Sequence, residues 1–383
     1  MKITDLKTIH LKPRWMFLKI ETDEGIVGWG EPVVEGRSRT VETAVKEFRS
    51  ILIGQDPLKI QHLWQLMYRG TFYRGGPVLC SAISGIEMAL WDIKGKFYNI
   101  PVHQMLGGKC RDSIRMYGHL KPAGHASDFP LEDMLALADI RLSEGFDVVK
   151  YSVIPPVLPI DNMLMCESIV ERFAEVRKHV GKSVDIAVDF HGRLSPAMSK
   201  RVLKEIEPYY PLFVEEPVLP ENVDEMVQVS HSTSIPIAAG ERLFTKFGFR
   251  ELIEKSAVSV VQPDLCHCGG IFEARTIAAM AETHYLQVAP HNPLGPISLA
   301  ACIQLDATIP NLLAQEHPGM LNHQDLGVGI LKTPFEIEDG HIRIPDGPGL
   351  GIEVDEDSLP ILEYDGSWDT PHLFYRDGSV ADW

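Results

Sequence analysis

Long apolar runs and an excess of basic residues are both missing from this 383-residue chain. No segment approaches the roughly eighteen uninterrupted apolar residues that a membrane span needs, so we expect no contact with a membrane. The formal net charge of −17 at pH 7 argues against nucleic-acid binding, which needs a basic surface to displace phosphate counterions. It does not exclude an anionic substrate, because salt screens distant charges and a bound dication reverses the local sign.

Cysteine is also sparse, with six residues scattered along the chain and no paired framework. This spacing predicts free thiols in a reducing compartment. Residues 1–7 run into alternating, strand-like sequence without the apolar core and cleavage site of a signal peptide. We therefore expect a cytoplasmic protein. No Gly-x-Gly-x-x-Gly opens a helix, so nothing supports a dinucleotide-binding fold.

The first part of the chain has strand patterns followed by helix patterns. Apolar segments on either side of Asp23-Glu24-Gly25 predict an antiparallel sheet. Helical periodicity follows and is clearest over residues 81–98, where apolar side chains share one stripe. This order indicates an α+β module that ends near residue 112.

From about residue 114 the pattern changes to short apolar strands that alternate with amphipathic helices. Eight such units in roughly 200 residues favour a (β/α)8-type barrel over an open doubly wound sheet. The predicted strands are residues 114–117, 147–151, 183–190, 212–216, 235–240, 258–263, 285–290 and 311–315.

The alternation stops after about residue 325. Asp339-Gly340 between two apolar segments predicts a hairpin, and Pro- and Gly-rich sequence follows to Trp383. We expect this tail to fold back on the N-terminal module. The predicted domains are an α+β capping domain from residues 1–112 and 325–383, and a barrel over residues 113–324.

Three acidic residues stand at the ends of consecutive predicted strands and are equally spaced: Asp189, Glu215 and Glu241. Active-site residues of such barrels project from the C-terminal strand ends, so these carboxylates should lie side by side. Clustered carboxylates raise each other's pKa values unless a cation neutralises them, and oxygen ligands with open positions favour magnesium. The alternative is that they form salt bridges on the rim, as Glu241 could with Arg242.

Histidines and further acids follow other strand ends. His191 lies two residues past Asp189, so strand alternation points both side chains to the same side. His291 lies one strand–helix unit past Asp264, whose carboxylate would fix the imidazole tautomer and raise its basicity. These positions leave open whether His191 is a surface residue and His291 a core residue. They also leave open whether Glu316 is a salt-bridge partner or a hydrogen-bond donor to an oxyanion.

A soft-metal site is suggested by the residue types of Cys266-His267-Cys268. However, the ligands are too close together, and the Cys-x2–4-Cys pairing of zinc sites is missing. We interpret this segment as a loop between a barrel strand and the next helix.

These strand-end motifs together resemble the enolase superfamily and, within it, the mandelate racemase subgroup. The resemblance covers nearly the whole chain, and it is most similar to the galactonate dehydratases around Arg14-Trp15 and over residues 189–193 (DFHGR). It implies an α/β fold with a (β/α)7β modified TIM barrel and an α+β cap. The motifs are Asp189-x-His191, Glu215-Glu216-Pro217, Gly240-Glu241-Arg242, Gln262-Pro263-Asp264 and Pro290-His291.

The resemblance implies a magnesium-dependent hydro-lyase acting on D-galactonate or a related aldonate. Three residues would bind one Mg²⁺ per subunit, which chelates the substrate carboxylate: Asp189, Glu215 and Glu241. His291, supported by Asp264, would remove the α-proton, a role that enolase-type sites assign to a Lys or His.

The other implied roles concern the second half of the reaction and substrate binding. Glu316 would stabilise the enediolate, and His191 would protonate the departing β-hydroxyl to leave a 2-keto-3-deoxy acid. Four residues are candidates for substrate binding: Arg14, Trp15, Tyr73 and Lys150.

The sequence departs from the family pattern near the substrate. Lys150-Tyr151-Ser152 differs from the Lys-x-Asn of galactonate dehydratases. Racemases of the subgroup have a second, catalytic lysine at this strand end, and Ser152 cannot serve as that base. Residues 121–130 and 152–159 differ as well, which bears on which sugar acid is used.

Two further readings of the function stay open. One is an acid-sugar epimerase or racemase that uses His191 and His291 from opposite faces. The other is a non-catalytic relative that only binds metal and sugar acid. The resemblance also implies a homo-oligomer, because members of the subgroup commonly form dimers or octamers.

Overall fold

An antiparallel sheet opens the chain, in agreement with the sequence pattern. The computed structural model describes residues 1–120, 129–152 and 154–383. The N-terminal elements are β1 (Ile3–Leu11), β2 (Trp15–Thr22), β3 (Val27–Gly30), α1 (Ser38–Leu52), α2 (Ile60–Arg69), α3 (Pro77–Tyr98) and α4 (Val102–Met105). Helix α3 packs so closely on the sheet that a Cβ at Gly30 would lie 1.9 Å from the Gly85 carbonyl oxygen. Glycine is therefore required there.

Within the described residues eight parallel strands follow, one for each strand predicted between residues 114 and 315. They are β4 (Ser113–His119), β5 (Val148–Tyr151), β6 (Asp185–Asp189), β7 (Phe213–Glu215), β8 (Ile237–Ala239), β9 (Val260–Val261), β10 (Gln287–Val288) and β11 (Gln315–His317). The helices between them are α5 (Leu131–Ser143), α6 (Met163–Val180), α7 (Pro196–Ile206), α8 (Val223–Ser230), α9 (Thr245–Glu254), α10 (Ile271–Glu282) and α11 (Pro296–Asp306).

The eight strands close into a ring. Neighbours pair in sequence order from β4 to β10, and β11 pairs with β4. Leu312 forms a parallel bridge to Val288 of β10, which joins the remaining two edges. Seven helices alternate with these strands, and no α-helix follows β11 in the described residues. The architecture is thus a (β/α)7β barrel. Its last strand, β11, ends two residues beyond the predicted end, and residues 311–313 before it pair with β10.

The barrel interior is filled by side chains, which explains why each short strand carries apolar residues. One cluster takes a buried residue from each of the eight strand segments, with bulky residues beside small ones, as tight packing of a small barrel requires. Its members are Tyr117, Val148, Ala187, Phe213, Ala238, Val260, Ala289 and Ala314.

The C-terminal tail contacts both parts of the molecule. The predicted hairpin is present as β12 (Ile337–Glu338) and β13 (His341–Arg343), and β13 pairs antiparallel with β4 of the barrel. Further on, the Lys12 N–H donates to the Leu362 carbonyl at 2.8 Å, and β14 (Leu373–Phe374) pairs with β15 (Val380–Ala381). From these contacts we propose that residues 1–112 and 325–383 form one capping domain, whose hairpin also extends the sheet at β4.

Two buried acids from the N-terminal part cap helices of the barrel. Glu31 accepts from the N–H groups of Gly295 (2.8 Å) and Ser298 (2.9 Å) at the start of α11. Glu87 accepts from Ile271 (2.8 Å) and Phe272 (3.0 Å) at the start of α10. Acidic groups satisfy the unpaired N–H groups and the dipole of a helix N-terminus. These hydrogen bonds hold the N-terminal part of the chain against the first turns of α10 and α11. In the described residues no helix is long and apolar enough to cross a membrane.

Candidate active site

A pocket of about 300 Å³ lies where the C-terminal ends of the barrel strands meet the cap. Its lining includes Asp189, His191, Glu241, His291 and Glu316, all of which the sequence placed at strand ends. Parallel strands of a barrel end at one rim, so residues far apart in sequence converge there.

The three predicted metal-binding acids come together beside this pocket. Asp189 and Glu215 are paired in register at the ends of β6 and β7, and Glu241 follows β8. One carboxylate oxygen from each lies within 4.8 Å of the other two. Oε2 of Glu241 is buried and has no hydrogen-bond partner in the described part of the chain, although Nε2 of His291 lies 3.4 Å away. An all-oxygen set with an unsatisfied buried carboxylate fits a hard divalent cation.

The charges around this cluster are unequal. Burial, with the neighbouring Glu216 charge, raises the pKa of Glu241 well above its usual range. Burial also raises the pKa of Glu215, against the opposing charge of Lys150. Although burial opposes it, the charges of His191 and Lys150 lower the pKa of Asp189. The pKa values of the three acids are therefore shifted in different directions, downward for Asp189 and upward for Glu215 and Glu241.

Lys150 lies between two acids rather than pointing freely into the pocket. Its ammonium group is 2.8 Å from Oε1 of Glu215 and 2.8 Å from Oε1 of Glu316. Burial alone would lower the pKa of Lys150, but these two carboxylates raise it well above its usual range. Lys150 is therefore held as a cation between the two carboxylates.

His291 and Asp264 form the predicted pair. Nδ1 of His291 lies 2.8 Å from Oδ2 of Asp264, and Nε2 lies 3.4 Å from Oε2 of Glu241. The other Asp264 oxygen accepts from the Cys266 N–H at 2.7 Å, which fixes the carboxylate. Because Asp264 accepts the Nδ1 proton, Nε2 is the nitrogen available to the pocket.

His191 occupies a left-handed backbone conformation, with φ 54°, at the turn after β6. Its backbone N–H donates to Oδ1 of Asp189 at 2.6 Å. Burial lowers the pKa of His191 to about 4, while Asp189 acts in the opposite direction, as does a hydrogen bond with the Trp383 backbone. The imidazole also meets the Trp383 ring edge to face, with ring centroids 5.3 Å apart.

Glu316 is surrounded by hydrogen-bond donors. In addition to Lys150, Oε1 lies 2.6 Å from Nε2 of His119, and Oε2 accepts from the Asn292 N–H at 2.7 Å. Burial opposes ionisation, but the charges of Lys150 and His291 lower the pKa of Glu316 well below its usual range. Of the two roles that the sequence left open for Glu316, the ion pair is present in this structure, and a role in stabilising an oxyanion stays a prediction.

The four candidate substrate-binding residues have different surroundings. Arg14 lines the pocket, and its guanidinium donates to the Pro293 carbonyl at 3.2 Å. Lys150 also lines it. Trp15 is 1% exposed and stacks on Phe17 in the core of the cap, so the structure does not bring it to the pocket. Tyr73 is 83% exposed and is not part of the lining either.

The other sequence departures are only partly described. Ser152 lines the pocket, whereas residues 121–128 and 153 lie outside the described residues. The Cys266-His267-Cys268 segment lies in the turns between β9 and α10, as interpreted, and both thiols are buried.

Sequence reasoning missed several residues of the pocket. His119 was overlooked because the predicted strand ended at residue 117, two residues before β4 does. His267 lines the pocket, and its Nδ1 lies 2.9 Å from the Ser81 hydroxyl; its position three residues past Asp264 was an available signal. Glu35 and Trp383 come from the cap and the tail, where no periodicity points to a barrel site.

A cap over a (β/α)7β barrel, with three acids and a His–Asp pair at its strand ends, defines an enolase-type protein. The family "Mandelate racemase / muconate lactonizing enzyme, N-terminal domain" matches residues 4–107. "Enolase C-terminal domain-like" matches residues 133–358. The chain therefore belongs to the mandelate racemase/muconate lactonizing enzyme family of the enolase superfamily.

Similar proteins cover the whole chain. A D-galactonate dehydratase of Cronobacter sakazakii is 47% identical over 390 residues, and one of Ralstonia pickettii is 48% identical over 389, with all of each chain covered. Among solved structures, a mandelate racemase/muconate lactonizing enzyme from a Sulfitobacter species has a TM-score of 0.89 at 32% identity, covering 97% of this chain and 98% of its own. A mandelate racemase/muconate lactonizing enzyme-like protein from Roseovarius has a TM-score of 0.89 at 33% identity with full coverage of both chains.

Proposed function

We propose that the protein is a magnesium-dependent sugar-acid dehydratase that converts D-galactonate, or a related aldonate, into the 2-keto-3-deoxy acid. The observation that carries this proposal is the placement of two histidines, His191 and His291, in one pocket beside the acid cluster. Full-length relatives named D-galactonate dehydratase support both the reaction class and the substrate class.

The acid cluster suits one Mg²⁺ per subunit, held by Asp189, Glu215 and Glu241. All three offer oxygen, and no nitrogen or sulfur atom belongs to the cluster within the described residues. Bound there, the ion would accept the substrate carboxylate and offset the negative charge that develops on it. This stabilisation of negative charge should contribute strongly to the rate, because a C–H group next to a carboxylate is a very weak acid.

The two histidines would divide the proton transfers. Nε2 of His291 takes the proton from C2, and the C–H electron pair moves toward the carboxylate to give an enediolate. As that electron density returns, the C3–O bond breaks, and His191 in its imidazolium form gives a proton to the departing hydroxyl, which leaves water and a neutral imidazole. The resulting enol then loses the proton of its C2 hydroxyl to solvent and gains a proton at C3, which gives the 2-keto acid. One residue as base and another as acid keeps the two roles apart.

Glu316 would act through the donors that it holds. Its carboxylate orients Lys150 and His119, whose protons are positioned to offset negative charge at the mouth of the barrel. Fixed donors in a water-poor site stabilise a developing oxyanion more strongly than mobile water does. This refines the role implied by the resemblance, in which Glu316 itself stabilises the enediolate.

The experiment that tests the proposal is a panel of C5 and C6 aldonates and aldarates, each with Mg²⁺, scored for semicarbazide-reactive 2-keto acid. We expect product from at least one aldonate, with D-galactonate first in order. An epimerase or racemase would change substrate stereochemistry without forming a keto acid. A non-catalytic relative would bind several aldonates and turn over none. A panel in which no 2-keto acid forms refutes the dehydratase.

We also propose that the protein is a cytoplasmic homo-oligomer. All six cysteines are unpaired in the structure, which suits a reducing compartment. Light scattering of the purified protein measures the oligomeric state, and a monomer at assay concentration contradicts that part of the proposal.

A further inference from the structure

Contacts connect the base side of the pocket with its acid side through residues of the cap and the tail. Arg14 donates to the carbonyl of Pro293, two residues past His291. The Arg14 guanidinium lies over the Trp368 ring, 5.0 Å from its centroid. The Trp368 ring lies 6.1 Å from the Trp383 ring. We call Arg14, Trp368 and Trp383 the arch.

The arch ends on the imidazole of His191. The planes of the Trp383 and His191 rings form an angle of 83° in an edge-to-face contact, and Trp383 forms part of the pocket wall. Trp383 thus has ring contacts with both Trp368 and His191, and such contacts, together with burial, restrict how an aromatic ring can turn.

The Trp383 backbone also forms a hydrogen bond with that imidazole, so the ring and the backbone of the same residue both hold it. Asp189 accepts from the backbone N–H of His191, and this contact fixes the main chain rather than the ring. Nδ1 of His191 is buried and has no hydrogen-bond partner in the part of the chain that the structure describes. The imidazole that should deliver a proton is thus oriented by Trp383, whose own place depends on the contact of its ring with Trp368.

We propose that Trp383 is a positioning residue that orients His191 for proton delivery to the departing hydroxyl, so that the tail contributes to the second step of dehydration only. This inference rests on the proposed function. Because His291 is held by Asp264 and not by Trp383, proton removal at C2 should not depend on Trp383.

A specific chemical consequence follows. In a Trp383→Ala variant the C2 proton still moves to His291, but the C3–O bond breaks slowly because the leaving hydroxyl lacks a well-placed acid. The enediolate then takes a proton back from His291 and returns to substrate. In D2O the returning proton is replaced by deuterium once His291 has exchanged with solvent. Recovered substrate should therefore carry deuterium at C2.

The experiment compares four proteins in D2O with Mg²⁺ and the aldonate that the wild-type enzyme dehydrates best in the panel. They are the wild type, Trp383→Ala, Trp383→Phe and the control Val380→Ala, which alters an exposed position of β15 on the same tail. Formation of 2-keto acid and deuterium at C2 of recovered substrate are both measured.

Trp383→Ala should lose about 100-fold in kcat for dehydration, the scale expected when a reacting group is misplaced by about 1 Å, and should gain deuterium exchange. Trp383→Phe keeps an aromatic ring against His191 and should restore most of the dehydration rate. Val380→Ala should match the wild type. If Trp383→Ala does not fold, Trp383→Leu takes its place, since it keeps apolar volume without a ring.

The outcomes separate the inference from the proposed function. Wild-type-like dehydration by Trp383→Ala overturns the inference alone. So does equal loss of exchange and dehydration, because that points to a collapsed pocket rather than a misplaced acid. If the wild type forms no 2-keto acid from any aldonate, the proposed function itself fails.

Discussion

His119 and Glu316 form a 2.6 Å hydrogen bond across the seam where β4 pairs with β11 and the barrel closes. The two residues are 197 positions apart in the sequence. His119 is also paired in register with Lys150 of β5, the other side chain that contacts Oε1 of Glu316. Closure of the ring therefore assembles a charged network beside the acid cluster of Asp189, Glu215 and Glu241.

Replacing His119 with phenylalanine should lower kcat with little effect on folding. The change keeps a planar ring and removes the donor that faces Glu316, and a hydrogen bond to a charged group contributes roughly 1.5–3 kcal/mol. We expect kcat for dehydration to fall about 10- to 100-fold. His62→Phe, at an exposed position of α2, is the matched control. An unchanged kcat in His119→Phe would remove His119 from the proposed network.

An isotope experiment should distinguish the roles proposed for His291 and His191. His291→Asn should lose both dehydration and deuterium incorporation at C2, because the base is gone. His191→Asn should lose dehydration yet show incorporation, because the enediolate forms and returns to substrate. Proton NMR of substrate recovered from D2O measures the exchange. Loss of exchange in His191→Asn as well contradicts the assigned division of roles.

Magnesium should raise the melting temperature of the wild type and have little effect on a variant of the acid cluster. A ligand at 100 times its Kd adds about 2.7 kcal/mol to the free energy of unfolding. Glu241→Gln removes one carboxylate charge with nearly the same shape, and it should abolish most of that gain. Glu221→Gln, at an exposed position, is the control. Melting curves of each protein with MgCl2 and with EDTA measure this effect. An equal rise in melting temperature in the wild type, Glu241→Gln and Glu221→Gln would place the ion elsewhere.

The cap at Glu31 should make stability depend on pH. Burial raises the pKa of Glu31 from 4.5 to about 8, against the two backbone hydrogen bonds that favour its ionised form. The folded state therefore keeps a proton that the unfolded chain loses, so the stabilisation from this group is complete below pH 4.5 and is lost as the pH rises toward 8. The loss amounts to at most roughly 1.4 kcal/mol per pH unit.

Glu31→Gln provides the comparison, because glutamine does not titrate. The difference in free energy of unfolding between the wild type and Glu31→Gln should shift against the wild type from pH 5 to pH 8. Urea unfolding at several pH values measures it. A constant difference across that range would show that Glu31 is already ionised in the folded protein.

Much of the fold was accessible from the sequence because a barrel repeats one local pattern. Each short apolar strand ends in polar residues, and all eight predicted strands are present. Asp189, Glu215 and Glu241 could be placed side by side for the same reason, since successive parallel strands end at one rim. The pairing of His291 with Asp264 follows from the same register.

Other features had no local signal. Whether Trp15 faces the pocket or the core depends on how the cap sheet packs, and it proves to be buried. The contacts of Glu31 with α11 and of Trp383 with His191 join segments that are distant in sequence and belong to no common repeat.

The sequence by itself determined which acids meet at the rim and that His291 stands beside Asp264, because strand periodicity and parallel pairing are local rules. Only the tertiary structure decided what surrounds them. Closure of the barrel brings His119 and Lys150 to Glu316, and the fold-back of the tail brings Trp383 to His191. Such contacts depend on long-range packing, in which burial and charge compensation, rather than local backbone preference, select the partners.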